Sequence, residues 1–141
     1  MISDDVTSFT AYAQETISGG QFVKAVSDND VIEAGSVAAY AASDIAVAKM
    51  DAGADNELVV GIALETATSG NSITVGTKGI YILPAGADAI GVGKALMPGS
   101  DTTAFANTVQ LVADGNEEFK VGKALTGASA SGKYIAALVR I

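Results

Sequence analysis

Val60-Gly61-Ile62-Ala63-Leu64 is nearly repeated twice further on, as Val92-Gly93-Lys94-Ala95-Leu96 and Val121-Gly122-Lys123-Ala124-Leu125. The last two copies are identical, and the starts lie 32 and then 29 residues apart. Self-similarity at such a period marks a repeated supersecondary unit, although a chain rich in Ala, Val and Gly also repeats itself by chance. Val and Leu suit strands, and a Gly within a strand marks a bulge, a bend or a close backbone approach. The sequence after the copies is also alike. Glu65-Thr66-Ala67-Thr68-Ser69-Gly70 leads to Ile73-Thr74-Val75, and Thr126-Gly127-Ala128-Ser129-Ala130-Ser131-Gly132 leads to Tyr134 and an apolar run. Each unit therefore reads as a strand, a small polar turn ending near Gly, and a returning strand.

The rest of the chain fits this pattern. Strands are expected at 21–26, 45–50, 58–66, 72–77, 80–83, 109–112 and 134–141, with turn signals between them. Lys78-Gly79 reads as a tight break between two strands. The run from Leu58 to Leu64 has no polar side chain, so both its faces should be covered. At the end of the chain Ile135, Ala137, Val139 and Ile141 share one face. Pro84 and Pro98 fall at strand ends, where a missing N–H is tolerated. Residues 31–43 read as a short helix or a loop. Eight or more short strands with frequent turns predict an all-β fold, a small barrel or sandwich of mostly antiparallel strands with at most one short helix. Residues 1–18 read as an N-terminal arm or as an ordinary first strand, and 19–141 as a single β domain.

A chain of 141 residues, 49% apolar, can bury a core. Its apolar residues are largely Ala, so the core should be made of small and branched side chains with closely spaced layers. Sixteen acids against eight bases give a net charge of −8, which disfavours a nucleic-acid partner, since that binding rests on Lys and Arg. The acidity fits either solubility or an outward-facing surface in a dense assembly. No run is long and apolar enough for a membrane-spanning helix, and the first residues do not read as a secretory signal.

The chain has no Cys and no His. Thiol nucleophiles, imidazole bases and the usual zinc sites are thereby excluded. Lys94 and Lys123 alternate with apolar neighbours and read as solvent-facing strand positions. Glu65, Asp88, Glu117 and Glu118 form no recognisable acid–base pair. Asp28-Asn29-Asp30 lacks the spacing of a calcium loop, and Val92-Gly93-Lys94 lacks that of a phosphate loop. No catalytic, cofactor-binding or metal-binding residue is assigned.

The run 60–67 followed by 69–75, then 77–85 and the apolar close at 136–141, resembles the small head decoration proteins of tailed viruses, also called capsid cement proteins. The resemblance implies a non-enzymatic structural protein on the outer surface of an icosahedral head, where it stabilises the expanded shell. It implies the major capsid protein as partner, a homo-oligomer with the trimer favoured, and no cofactor, nucleic acid or membrane. It also implies an N-terminal arm that pairs with capsid strands, with Ile2, Val6, Phe9 and Tyr12 as its contact residues. The alternative is a carbohydrate- or receptor-binding β module of a fibre or envelope. That reading requires exposed aromatic residues, and Tyr12, Tyr40, Tyr81 and Tyr134 would have to share one surface.

Overall fold

The computed structural model describes residues 7–26, 45–50, 59–86, 89–99, 108–112, 117 and 120–141. These form nine strands: β1 (Thr7–Ala13), β2 (Phe22–Ala25), β3 (Ala46–Lys49), β4 (Val59–Ala63), β5 (Ser72–Pro84), β6 (Ala95–Pro98), β7 (Val109–Leu111), β8 (Gly122–Ala124) and β9 (Tyr134–Arg140). Their order in the sheet is β1-β3-β2-β4-β5-β9-β8-β6-β7, and β1 also pairs with β5. That pairing closes β1, β3, β2, β4 and the first half of β5 into a five-stranded barrel. A bridge between Ala85 and Val109 joins the end of β5 to β7 and closes a second ring from β5, β9, β8, β6 and β7. The expected all-β fold is thus a pair of small barrels sharing one strand.

The two barrels share their register, apart from irregularities at Thr7/Ser8 and Val23/Lys24 in the first. Ala13 opposite Val47 in the first corresponds to Ala85 opposite Val109 in the second. The parallel pairing recurs at this point in each; every other strand pairing is antiparallel. Val23 opposite Lys49 and Gly61 corresponds to Leu96 opposite Leu111 and Gly122. Ala63 opposite Val75 corresponds to Ala124 opposite Ala137, and Ala11 opposite Ile73 to Leu83 opposite Ile135. The chain is therefore an internal duplication. β1 is equivalent to the second half of β5, β2 to β6, β3 to β7, β4 to β8, and the first half of β5 to β9.

The sequence repeat is reinterpreted accordingly. The copies at 60–64 and 121–125 are equivalent and lie 61 residues apart. The middle copy is not a third unit: Gly93 lies in a turn with φ of 80°, and only Ala95 and Leu96 belong to β6. It pairs against the third copy, with Ala95 opposite Lys123 and Leu96 opposite Gly122. The spacing that relates the equivalent copies is the sum of the two spacings.

Four turns of one kind hold the barrels shut, and they pack in pairs. In the first barrel Ile17 and Ala67 exchange two backbone hydrogen bonds of 2.9 Å. Around this bridge Gly20 N–H donates to Ala63 O (2.8 Å) and Gly70 N–H to Ala13 O (2.7 Å). The second barrel repeats the set: Ile90 and Ala128 exchange bonds, Gly93 N–H donates to Ala124 O and Gly132 N–H to Ala85 O. Gly20, Gly70, Gly93 and Gly132 all have φ between 80° and 91°, a region that costs any residue with a Cβ. The four Ala residues that accept these bonds are buried to 1% exposure or less. A Cβ at Gly93 would meet nothing within 4 Å, so Gly93→Ala isolates the backbone cost. It should lower the unfolding free energy by about 1 kcal/mol, as measured by urea denaturation.

The cores match the expected composition. The first barrel is filled by Ala11, Ala13, Ile17, Val23, Val47, Ala63, Ala67, Ile73 and Val75. A five-stranded ring is too narrow for larger side chains, which accounts for the abundance of Ala. Every one of these positions has a buried equivalent in the second core. Phe22, Met50 and Ile62 join the second core, and so seat the outer wall of the first barrel on the second. β4 is covered on both sides as expected, with Val60 and Ala63 against one core and Val59 and Ile62 against the other.

One further expectation is corrected. Ser72–Pro84 is one 13-residue strand, and the expected break at Lys78-Gly79 does not occur. Gly79 takes a φ of 148° within the strand, so the glycine adjusts its path without ending it. Residues 7–18, expected as arm or first strand, include β1, which pairs with β3 and β5, and the fully buried Ile17. Residues 31–43 and the turn at 114–116 lie outside the described residues.

Candidate interaction surface

Of the polar groups considered for chemistry, Glu65 serves the fold. Glu65 Oε1 accepts hydrogen bonds from Thr74 N–H (3.0 Å) and Thr74 Oγ1 (3.1 Å). The equivalent position in the second barrel is Thr126, whose Oγ1 accepts from Ala136 N–H at 2.9 Å. Glu15, the matching residue of the first turn, accepts from Lys49 N–H at 3.1 Å. These side chains brace a turn against the next strand. Lys94 and Lys123 are exposed, as their alternation predicted. Glu117 is exposed; Asp88 and Glu118 lie outside the described residues. Among the described residues no three acidic side chains gather as a metal site, and no helix is long and apolar enough to cross a membrane.

Of the expected arm contacts, Phe9 sits in β1 and packs partly buried against the first core. Tyr12 is half-buried in the same strand, opposite Ala46 and Ser72. Ile2 and Val6 lie outside the described residues. The tyrosines required by the glycan-binding alternative do not gather. Tyr81 is buried in the second barrel, Tyr12 is in the first, and Tyr134 is exposed on β9; Tyr40 is outside the described residues.

Tyr81 is the inward residue equivalent to Phe9. Its hydroxyl fills the space that a side chain at Gly76 would need, and it has no hydrogen-bond partner among the described residues. Burial raises its pKa above the ordinary phenol value. The folded state therefore holds this proton more tightly than the unfolded chain. Its contribution to stability is complete below about pH 10 and is lost as the pH rises through the folded value. Tyr81→Phe should flatten the alkaline limb of a stability–pH curve. At neutral pH it should raise stability by about 1 kcal/mol, because it removes an unpaired buried hydroxyl.

The surface itself is uneven. The described large apolar side chains left exposed are Ile82, Val92, Leu111, Leu125, Tyr134, Leu138 and Ile141, all in the second half of the chain. Beside Leu138 a shallow groove of about 290 Å³ is lined by Lys120, Gly122, Lys123, Leu138 and Arg140. It gathers three of the protein's eight basic residues. Residues 1–75 hold eleven of the sixteen acids and two of the bases, so the net charge resides almost wholly in the first half. Neither asymmetry was drawn from the sequence, though both have a signal there. The charge difference is countable, and Tyr134 to Ile141 is apolar at both alternations.

Two closed β-barrels with braced turns, the second bearing the exposed apolar side chains and a basic groove, define a small all-β protein. The comparisons give the class a family. The chain belongs to the phage cement protein family, whose model matches residues 2–141, and it is a structural, capsid-associated component of the virion. It is also similar in fold to the N base of the head fibre protein gp8.5 of bacteriophage phi29. The two share 20% identity and a TM-score of 0.58, over 96% of this chain and 94% of that one. No curated protein matches the chain.

Proposed function

We propose that the protein binds the outer surface of an icosahedral phage head and stabilises the expanded shell, without catalysis. The observation that carries this reading is the family match over residues 2–141. Two features of the molecule support it: Glu65 and Glu15 serve as turn braces, and the exposed large apolar side chains among the described residues lie in the second half. A protein that binds only the assembled shell stabilises it by mass action, summed over many copies. The partner on this reading is the major capsid protein, and the trimer is the stoichiometry to measure. An arm that augments capsid strands corresponds to residues 1–6, with Ile2 and Val6 as contacts.

The test is cosedimentation of the purified chain with expanded heads of its own phage assembled without it, followed by thermal rupture of the heads. Saturable binding and a raised rupture temperature are expected. Absence of binding would overturn the reading. A chain starting at Thr7 measures the arm separately: weakened binding with an unchanged melting curve assigns it a contact role.

A further inference from the structure

The duplication supplies an internal control for the surface. On the outer face of β1 and the first half of β5, the first barrel sets Ser8, Thr10 and Tyr12 against Gly76, Thr74 and Ser72, of which Gly76 is buried beneath Tyr81 and Leu64. The equivalent positions in the second barrel are Ile80, Ile82 and Pro84 against Leu138, Ala136 and Tyr134. The register is the same and the inward residues are buried in both. A polar face therefore suffices for this fold, and the first barrel uses one. In the second, Ile82 and Leu138 are each 44% exposed and Tyr134 is 66% exposed. Packing among the described residues gives no reason for that change.

Electrostatics distinguishes one end of this stripe. Lys123 stands opposite Leu138 in the sheet, and Lys120 and Arg140 complete the groove beside it. Like charges gathered on one end of an apolar face, in a chain otherwise strongly acidic, call for carboxylates on whatever covers it.

We infer that the β5–β9 face of the second barrel is the surface that docks on the capsid shell. Its partner is a protein surface with apolar side chains opposite Ile82, Tyr134 and Leu138, and with carboxylates opposite Lys120, Lys123 and Arg140. The first barrel then faces away from the shell. This rests on the capsid-binding reading above and adds to it which face is used.

The experiment compares two variants with the wild-type chain on heads assembled without the protein. Ile82→Thr with Tyr134→Ser and Leu138→Ser gives the second barrel a polar face. The first two changes install residues that the first barrel already carries at those positions. Binding should weaken by about 30-fold or more. Lys123→Glu with Arg140→Glu should weaken binding by about 10-fold and remove most of its salt dependence. Ser8→Ala with Ser72→Ala, on the matching face of the first barrel, should bind as wild type. Melting curves check that each variant folds; if the triple variant does not, Tyr134→Ser alone and the charge reversal carry the test.

Undiminished binding by the polar-face and charge variants would overturn the proposal. So would a fall in the oligomeric mass of the polar-face variant with full head binding per chain, since the face would then join copies of this protein. Failure of the wild-type chain to bind heads would instead overturn the capsid-binding reading, and this proposal with it.

Discussion

Gly122→Ala should lower the unfolding free energy by about 3 kcal/mol, the largest effect expected of a single substitution here. A Cβ at 122 would press on Leu138 O and lie 3.0 and 3.1 Å from Leu138 C and Val139 Cα, all main-chain atoms of the adjacent strand. Main chain in a closed ring cannot yield as a side chain does. At the equivalent Gly61 the obstacles are Val75 Cγ1 and the backbone oxygen of Gly76. Gly61→Ala should therefore be similarly severe. These two glycines explain the conserved frame of the repeat: the Gly of the Val-Gly unit is there for close approach of the returning strand. Chemical denaturation of both variants checks the prediction. A loss below about 1 kcal/mol at Gly122 would mean that the β8–β9 wall can open.

A chain that begins at Ser18 should fail to fold its first barrel, with a loss of more than about 5 kcal/mol, comparable with the whole stability of a domain. The deletion removes β1 and Ile17, and with them Phe9, Ala11 and Ala13 from the core. It also leaves β3 and β5 without the partner that closes the ring, exposing unpaired edges. A chain beginning at Thr7 keeps all of this and should melt as the full chain does. Differential scanning calorimetry of the two chains separates them. A deletion to Ser18 that retained a cooperative, near-native transition would show that β1 is dispensable.

The legible part of this fold was the part written in local pattern. The alternating runs around Val47, Ile73 and Ile135 and the Gly-containing turns identify strands and their inward faces. The composition, rich in Ala, anticipates a narrow core. What could not be read was which repeats correspond. The identical pentapeptides at 92–96 and 121–125 occupy different environments, one beginning in a turn and the other lying within a strand. Meanwhile the equivalents 60–64 and 121–125 differ, with Lys123 in place of Ile62. Strand closure is likewise nonlocal: nothing near Thr7 indicates that it ends opposite Lys78. The outward apolar face was legible only in outline, because a strand that is apolar on both sides reads equally as one buried on both sides. The comparison with the polar face of the first barrel resolves the matter, and it requires the register.

β5 runs from one barrel into the other as a single 13-residue strand with no loop at the junction. In mechanical terms this junction has no hinge. Its first half is held by β1 and β4 and its second by β9, so tension applied along the strand loads these antiparallel hydrogen bonds in shear, many at once. Tension between the barrels passes through covalent main chain. A particle under internal pressure that pulled on such a fastener would detach it at its footing before it parted at the waist.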